Sequence, residues 1–221
     1  MRQALRHELL PVEHGFGVRG MPRPEGIVQP KQVHGVEVAR AEQGAALPVE
    51  ADAIVTAQPG VCIGVITADC VPILVSAEDG SAVAAIHAGW RGLAAGVIEA
   101  GVSALCVETR ASLVAVVGPH IGPCCYEVDA PVIDGLRARF GSETDAALRA
   151  VRDKPGHAML ELARLAEVDL ARCGLNPNCF ARLEVDGKAA CTNCDPERFD
   201  SYRRDGEAAG RLLHFIRAGA A

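Results

Sequence analysis

The sequence predicts an α/β (α+β) fold with a mixed sheet, carried by a single domain over residues 1–221. Three observations lead there. The first half holds closely spaced apolar runs rich in valine and isoleucine, the pattern of strands buried on both faces. The second half spaces its apolar residues at helical intervals. No linker, repeat or low-complexity tract divides the two halves, and the chain is long enough to bury a substantial core.

Short strands are expected at 13–18, 36–39 and 53–55, and fuller ones at 61–66, 71–76 and 83–86. A Gly-rich turn then opens a helix over 92–105, with Leu93, Val97, Val102 and Leu105 on its apolar side. Residues 113–117 return to strand. The second half reads as helices at 130–140 and 158–173, the latter with Gly174 as C-cap. A strand follows at 179–185, then a last helix over 206–217 with Asp205 as its N-cap.

Composition excludes several classes of function. Hydrophobic residues make up 49% and charged residues 23%, an ordinary globular balance. A net charge of −6 argues against nucleic-acid binding. No apolar run is long enough to span a membrane, and residues 1–8 lack the apolar core of a signal peptide. A cytoplasmic protein is expected. Its nine cysteines are then thiols that serve as small hydrophobes, metal ligands or nucleophiles.

Reactive side chains cluster where predicted strands end, which is where α/β sheets build sites. His34 stands in Lys31-Gln32-Val33-His34-Gly35. Asp69 and Cys70 fill the gap between two buried strands. His87 ends a strand in His87-Ala88-Gly89-Trp90-Arg91-Gly92. Two histidines and a cysteine suit a three-ligand catalytic zinc, although the spacing 34, 70, 87 matches no local zinc pattern. Taken singly, each has a plainer role: a hydrogen-bonded histidine or a buried thiol. The expected helix start at Gly92, with Arg91 beside it, offers N–H donors and a forked cation to an anion such as phosphate.

Other motifs stay open at this level. Cys191 and Cys194 form a CxxC that could be half of a structural zinc site, but no second well-spaced pair accompanies it. Cys124 and Cys125 follow a Gly/Pro-rich turn that also holds His120, a further candidate for metal or substrate. Cys173 and Cys179 read as packing residues. Arg203 and Arg204 either enter a helix or meet an anionic substrate.

Together these motifs resemble the YfiH/laccase-domain family: Lys-Gln-Val-His-Gly at 31–35, Ala-Asp-Ala at 51–53, Thr-Ala-Asp-Cys at 67–70, His-Ala-Gly-Trp-Arg-Gly at 87–92, Gly-Pro-His-Ile-Gly-Pro-Cys-Cys-Tyr-Glu-Val at 118–128 and Ser-Tyr-Arg-Arg-Asp-Gly at 201–206. The resemblance implies a central β-sandwich flanked by helices, similar to a Cys-His toxin deamidase. It implies one zinc ion on His34, Cys70 and His87, with copper as the weaker alternative. The implied activity is phosphorolysis of purine nucleosides (adenosine, inosine, guanosine, methylthioadenosine) with inorganic phosphate, and adenosine deamination at the same site, by a monomer or homodimer. For deamination, Asp69 is the candidate proton shuttle and Cys70 belongs to the catalytic set, although adjacent residues on extended chain face opposite ways. Arg91, Arg19 and Arg203 are the expected substrate or phosphate contacts. The family's N-terminal Thr-Arg-x-Gly-Gly-Val-Ser stretch is reduced here to 14–20, with a shorter interval before Gln32; this segment is where the chain departs from the pattern, and it leaves the preferred substrate open.

Two alternatives accompany this reading. One is a metal-independent Cys-His amidase acting on a peptidoglycan precursor, with Cys70 as nucleophile and His87 as base. The other, a copper-dependent polyphenol oxidase, is disfavoured because a multicopper cluster needs many histidines.

Overall fold

A computed structural model describes residues 3–42 and 49–219 of the chain. The outermost residues of the 1–221 reading, Met1 and Arg2 of the leader assessment among them, lie outside the described residues. The first half supplies strands β1 (His14–Gly15), β2 (Val38–Arg40), β3 (Ala53–Thr56), β4 (Cys62–Thr67), β5 (Val71–Ala77) and β6 (Val83–Ala88). Helices α1 (Trp90–Ala95) and α2 (Val97–Glu108) lead to β7 (Leu113–Val117) and β8 (Glu127–Val128). Then come α3 (Ala130–Phe140), α4 (Ser142–Ala146), β9 (Leu148–Ala150), β10 (Ala158–Leu160) and α5 (Leu162–Arg172). The chain ends with β11 (Phe180–Arg182), β12 (Glu184–Val185), β13 (Lys188–Ala189), α6 (Tyr202–Asp205) and β14 (Leu212–Arg217).

Six strands form the central mixed sheet, in the order β11-β7-β5-β6-β3-β2. Its apolar runs are continuous because both faces are covered. Ala53, Val55, Ile73, Val75, Ile86, Ala115 and Val117 point to the helical side, where Leu93, Ile98, Leu105 and Leu165 meet them. Their neighbours Ile54, Leu74, Val83, Ala85, Val114 and Val116 point the other way. There they pack on Ile63, Val65 and Ile216 of a second sheet, β1-β14-β4. The result is a β-sandwich with helices on one outer face. Each large aliphatic side chain buried in it contributes about 1.5–3 kcal/mol before entropy is subtracted.

Several predicted elements are corrected. Residues 206–217 do not form one continuous helix: only Gly206–Ala208 make a single 3-10 turn, and β14 is a strand, antiparallel to β4 from Leu212 opposite Thr67 to Arg217 opposite Cys62. A short apolar run fits either period, and pairing with a distant strand decides. Gly64 permits this approach, since a Cβ there would lie 2.5 Å from the His214 carbonyl oxygen. Residues 158–160 are likewise a strand, held between β8 and β9, and the helix begins only at Leu162. The helix expected over 92–105 starts earlier, at Trp90, and breaks at Gly96, whose φ of 98° is left-handed. The strand expected at 179–185 divides, with β11 parallel to β7 and β12 turned into a hairpin with β13. Asp205 precedes only the short turn Gly206–Ala208, and its side chain makes no capping bond there. Ser201 caps α6 instead, its Oγ accepting from the Arg204 N–H at 3.3 Å. Among the described residues no helix is long and apolar enough to cross a membrane.

Candidate functional site

The sheet register assembles the site. Pro72 pairs with His87 and Val71 with Ala88, so Cys70, just before β5, stands beside His87 near the end of β6. On the other flank Ala53 pairs with Ile86, which sets Asp52 next to His87, and the His87 N–H donates to the Asp52 carbonyl at 2.7 Å.

Asp52 organises the rest. Its side chain is fully buried and accepts the backbone N–H groups of Val33, His34 and Gly35 at 3.1, 2.9 and 2.7 Å. It also takes His87 Nδ1 at 2.7 Å. Burial alone would raise this carboxyl's pKa, but the donated hydrogen bonds outweigh it and hold the pKa below the usual value. One carboxylate thus fixes both histidines: His87 by its ring and His34 by its backbone, which takes a left-handed φ of 61°.

His34, Cys70 and His87 present ligand atoms that all lie within 4.8 Å of one another. His34 Nε2 is 3.9 Å from Cys70 Sγ, and the two imidazoles meet edge to face with centroids 4.9 Å apart. Burial pushes the Cys70 thiol up, but hydrogen bonds from His34 and His87 bring it down to about 6. Burial lowers His87, yet Asp52 and Cys70 raise it to about 9. Gly89 completes the cradle: a Cβ there would come within 2.9 Å of His34 Cδ2 and 3.1 Å of Cys70 Sγ. Two imidazole nitrogens and a thiolate are a donor set that fits zinc.

The triad lies in a cleft of about 510 Å³ whose wall carries Trp90, Arg91, Tyr126, Tyr202, Arg203 and Arg211. The Arg91 guanidinium stacks over Trp90 at 4.4 Å, and Arg203 lies over Tyr126 at 5.3 Å. Arg203 also donates from Nη1 to the Glu127 carbonyl at 3.0 Å. Burial pushes the Tyr126 phenol up to about 12. The helix expected to cradle phosphate is the six-residue α1, so the cationic character of this wall comes chiefly from its arginines.

Asp69 also borders the cleft, with a left-handed φ of 87°. Its carboxylate accepts Thr192 Oγ1 at 2.5 Å, Ser201 Oγ at 3.0 Å and the Arg203 backbone N–H at 2.6 Å. Arg19 is not brought into the cleft. It binds Asp200 at 2.8 Å and the Pro196 carbonyl at 2.9 Å. Arg204 holds the carbonyls of Thr192, Asn193 and Phe199. His120 is buried and held to the Gly118 carbonyl at 2.8 Å, away from the triad's cleft. Cys173 and Cys179 pack against the core, as expected of them.

Sequence reasoning left Asp52, Tyr126, Tyr202 and Arg211 without a role. Asp52 carried one signal, a lone acid in the Ala-Asp-Ala motif ahead of a buried strand. Arg211 carried none.

The family described as multi-copper polyphenol oxidoreductase laccase matches residues 16–219. A Pseudomonas aeruginosa protein named purine nucleoside phosphorylase is 42% identical over 185 residues, covering 84% of this chain and 71% of its own. One of the same name from Xylella fastidiosa (strain Temecula1) is 41% identical over 180 residues, covering 79% of this chain. The chain spans 66% of that relative's length. Among solved structures, Bacillus licheniformis hypothetical protein YfiH superposes with a TM-score of 0.78 at 29% identity, covering 87% of this chain and 74% of that one.

Proposed function

This chain belongs to the multi-copper polyphenol oxidoreductase laccase family, to which its YfiH-like fold also points, and on that premise we propose that it is a purine nucleoside phosphorylase with zinc at His34, Cys70 and His87. Its substrates in this reading are adenosine, inosine, guanosine and methylthioadenosine, with inorganic phosphate as co-substrate. Adenosine deamination is a second activity of the same site. The observation that carries the reading is the cleft. One enclosure combines a metal-ligating triad, aromatic faces at Trp90, Tyr126 and Tyr202, and guanidinium groups at Arg91, Arg203 and Arg211. Aromatic faces suit a purine, and forked cations suit phosphate.

Zinc, when bound, supplies Lewis-acid polarisation. The remaining work belongs to side chains. Arg91, Arg203 and Arg211 bind phosphate and orient it for attack at the ribose C1′ carbon. The exposed ring of Tyr202 offers a face for the base. Tyr126 carries its Oη proton at neutral pH, as a phenol ordinarily does and as burial reinforces, and it can donate a hydrogen bond to the substrate. Asp52 locks the His87 tautomer by accepting the Nδ1 proton. Asp69, with three donors on its two oxygens, positions the Arg203 backbone rather than shuttling protons.

The donor sets argue against a multicopper oxidase. The groups among the described residues that could hold a metal are one His/Cys/His triad and one all-cysteine cluster, not the histidine-rich clusters such an enzyme needs.

Chromatography of nucleosides incubated with the zinc-loaded protein tests the proposal. Base and the matching pentose-1-phosphate (ribose-1-phosphate, or methylthioribose-1-phosphate from methylthioadenosine) are expected only when phosphate is present, and inosine from adenosine when it is absent. Unchanged nucleosides in both cases, with zinc bound, would overturn it. A second reading rests on Cys70, His87 and Asp52, which also form the nucleophile, base and orienting acid of a Cys-His amidase. That reading requires activity on amides to survive chelation of metal.

A further inference from the structure

The two cysteine motifs that sequence spacing left unconnected meet in the fold. Cys124 Sγ lies 3.6 Å from Cys191 Sγ and 3.5 Å from Cys194 Sγ, and Cys125 Sγ lies 3.3 Å from Cys194 Sγ. All four sulfurs fall within 4.8 Å of one another. We propose that Cys124, Cys125, Cys191 and Cys194 form a second, structural metal site, a tetrathiolate for zinc that is separate from the His34/Cys70/His87 triad.

Three observations carry it. The spacing fits: four sulfurs about 2.3 Å from a tetrahedral zinc are about 3.8 Å apart. The local backbone fits too. Cys191 Sγ accepts the Gly122 N–H at 3.2 Å and a backbone hydrogen bond from Cys194, so one N–H from each of the two segments already points at a sulfur that would carry negative charge. Finally, packing does not explain two of these thiols. Cys124 and Cys194 are exposed, so they are not serving as small core hydrophobes.

Binding would release the thiol protons to water and leave the tetrathiolate centre at a charge of about −2. Arg204, itself ion-paired with Asp205 at 2.8 Å, braces the loop: its Nη1 holds the carbonyls of Thr192 and Asn193, the two residues inside the CxxC, at 3.0 and 3.2 Å. The site would pin together two segments that build the cleft. One runs through Ile121 and Tyr126, whose N–H groups bind the Asp69 and Gly122 carbonyls at 3.0 Å. The other carries Thr192, which donates to the Asp69 carboxylate.

Zinc quantitation on the full chain, purified under reducing conditions and reconstituted with zinc alone, provides the test. Wild type is expected to hold about two zinc ions per chain. The triple variant His34→Ala/Cys70→Ser/His87→Ala should keep about one, and so should Cys125→Ser/Cys194→Ser. In case the double variant fails to fold, the triple variant loaded with cobalt supplies an independent readout. Intense thiolate-to-cobalt charge transfer and an absorption shell of about four sulfurs are expected there. Zinc should also protect all four thiols from alkylation. A triple variant without zinc, a shell with fewer than four sulfurs, or a disulfide among these cysteines in the reduced, zinc-loaded protein would each overturn the proposal. Because the triple variant lacks the His34/Cys70/His87 triad, failure of the four-cysteine site and failure of the phosphorylase reading remain distinguishable.

Discussion

The buried carboxylate of Asp52 receives the Nδ1 proton of His87 at 2.7 Å, and this single bond leaves the other ring nitrogen facing Cys70. The same carboxylate gathers the three N–H groups around His34. Asp52 therefore acts on two sides of the triad without belonging to it.

Asp52→Asn is expected to weaken zinc binding at the triad by about 10–100-fold, the usual effect of losing such a supporting hydrogen bond. The amide cannot accept on both atoms, so either the His34 loop or the His87 ring loses its anchor. A competitive chelator titration measures this. Unchanged affinity would mean that the carboxylate only supports the fold.

Gly89→Ala is expected to disturb the triad while sparing the sheet. The new methyl would stand 2.9 Å from His34 Cδ2 and 3.1 Å from Cys70 Sγ, closer than ordinary carbon contacts. Zinc at the triad should fall below wild-type stoichiometry while far-UV circular dichroism stays the same. Full zinc loading with unaltered affinity would count against the crowded geometry.

Asp69→Asn separates two roles. Thr192, Ser201 and the Arg203 backbone all donate to this carboxylate, so the substitution should destabilise the fold by about 1–3 kcal/mol. Urea unfolding reads that loss. If Asp69 were a proton shuttle, the kinetic pH profile would lose a limb at unchanged stability. The expected result is the reverse.

His214 sets a pH dependence of stability. Its Nδ1 accepts the Gly17 N–H at 3.3 Å, so Nε2 carries the proton towards Thr67 Oγ1 at 2.9 Å. Burial, with the nearby His87 charge, lowers its pKa to about 3. Above the unfolded value of about 6.5 both states are neutral and the group is silent. As pH drops below 6.5 the unfolded chain binds a proton that the folded chain refuses, so stability is lost. Buried His14 and His120 are lowered as well and add to the wild-type slope. Between pH 6.5 and 5, above the carboxylate range, the slope for His214→Gln should be shallower by up to about 1.4 kcal/mol per pH unit. Identical slopes would refute this account.

Legibility in the sequence followed the range of the interactions. The runs at β4, β5, β6 and β7 were readable because burial on both faces makes each segment continuously apolar. The run around Leu212–Arg217 is largely apolar too but was read as a helix, because only its pairing with β4 distinguishes the two. The candidate site divides in the same way. His34, Cys70 and His87 stood out by residue type at strand ends, whereas Asp52 and Arg211 look ordinary until the register of β3, β6 and β14 brings them in.

His34, Cys70 and His87 and the strands that end beside them were thus determined locally, by residue chemistry and hydrophobic period. Tertiary structure decided what those residues face. It joined the vicinal cysteines to a CxxC that follows 66 residues later, kept Arg19 at its own ion pairs, and put Arg211 on the cleft wall. The physical reason is that side-chain chemistry and period act over a few residues, while a cluster of ligands needs loops closed across the whole chain. Only the packed core supplies the free energy that offsets that closure.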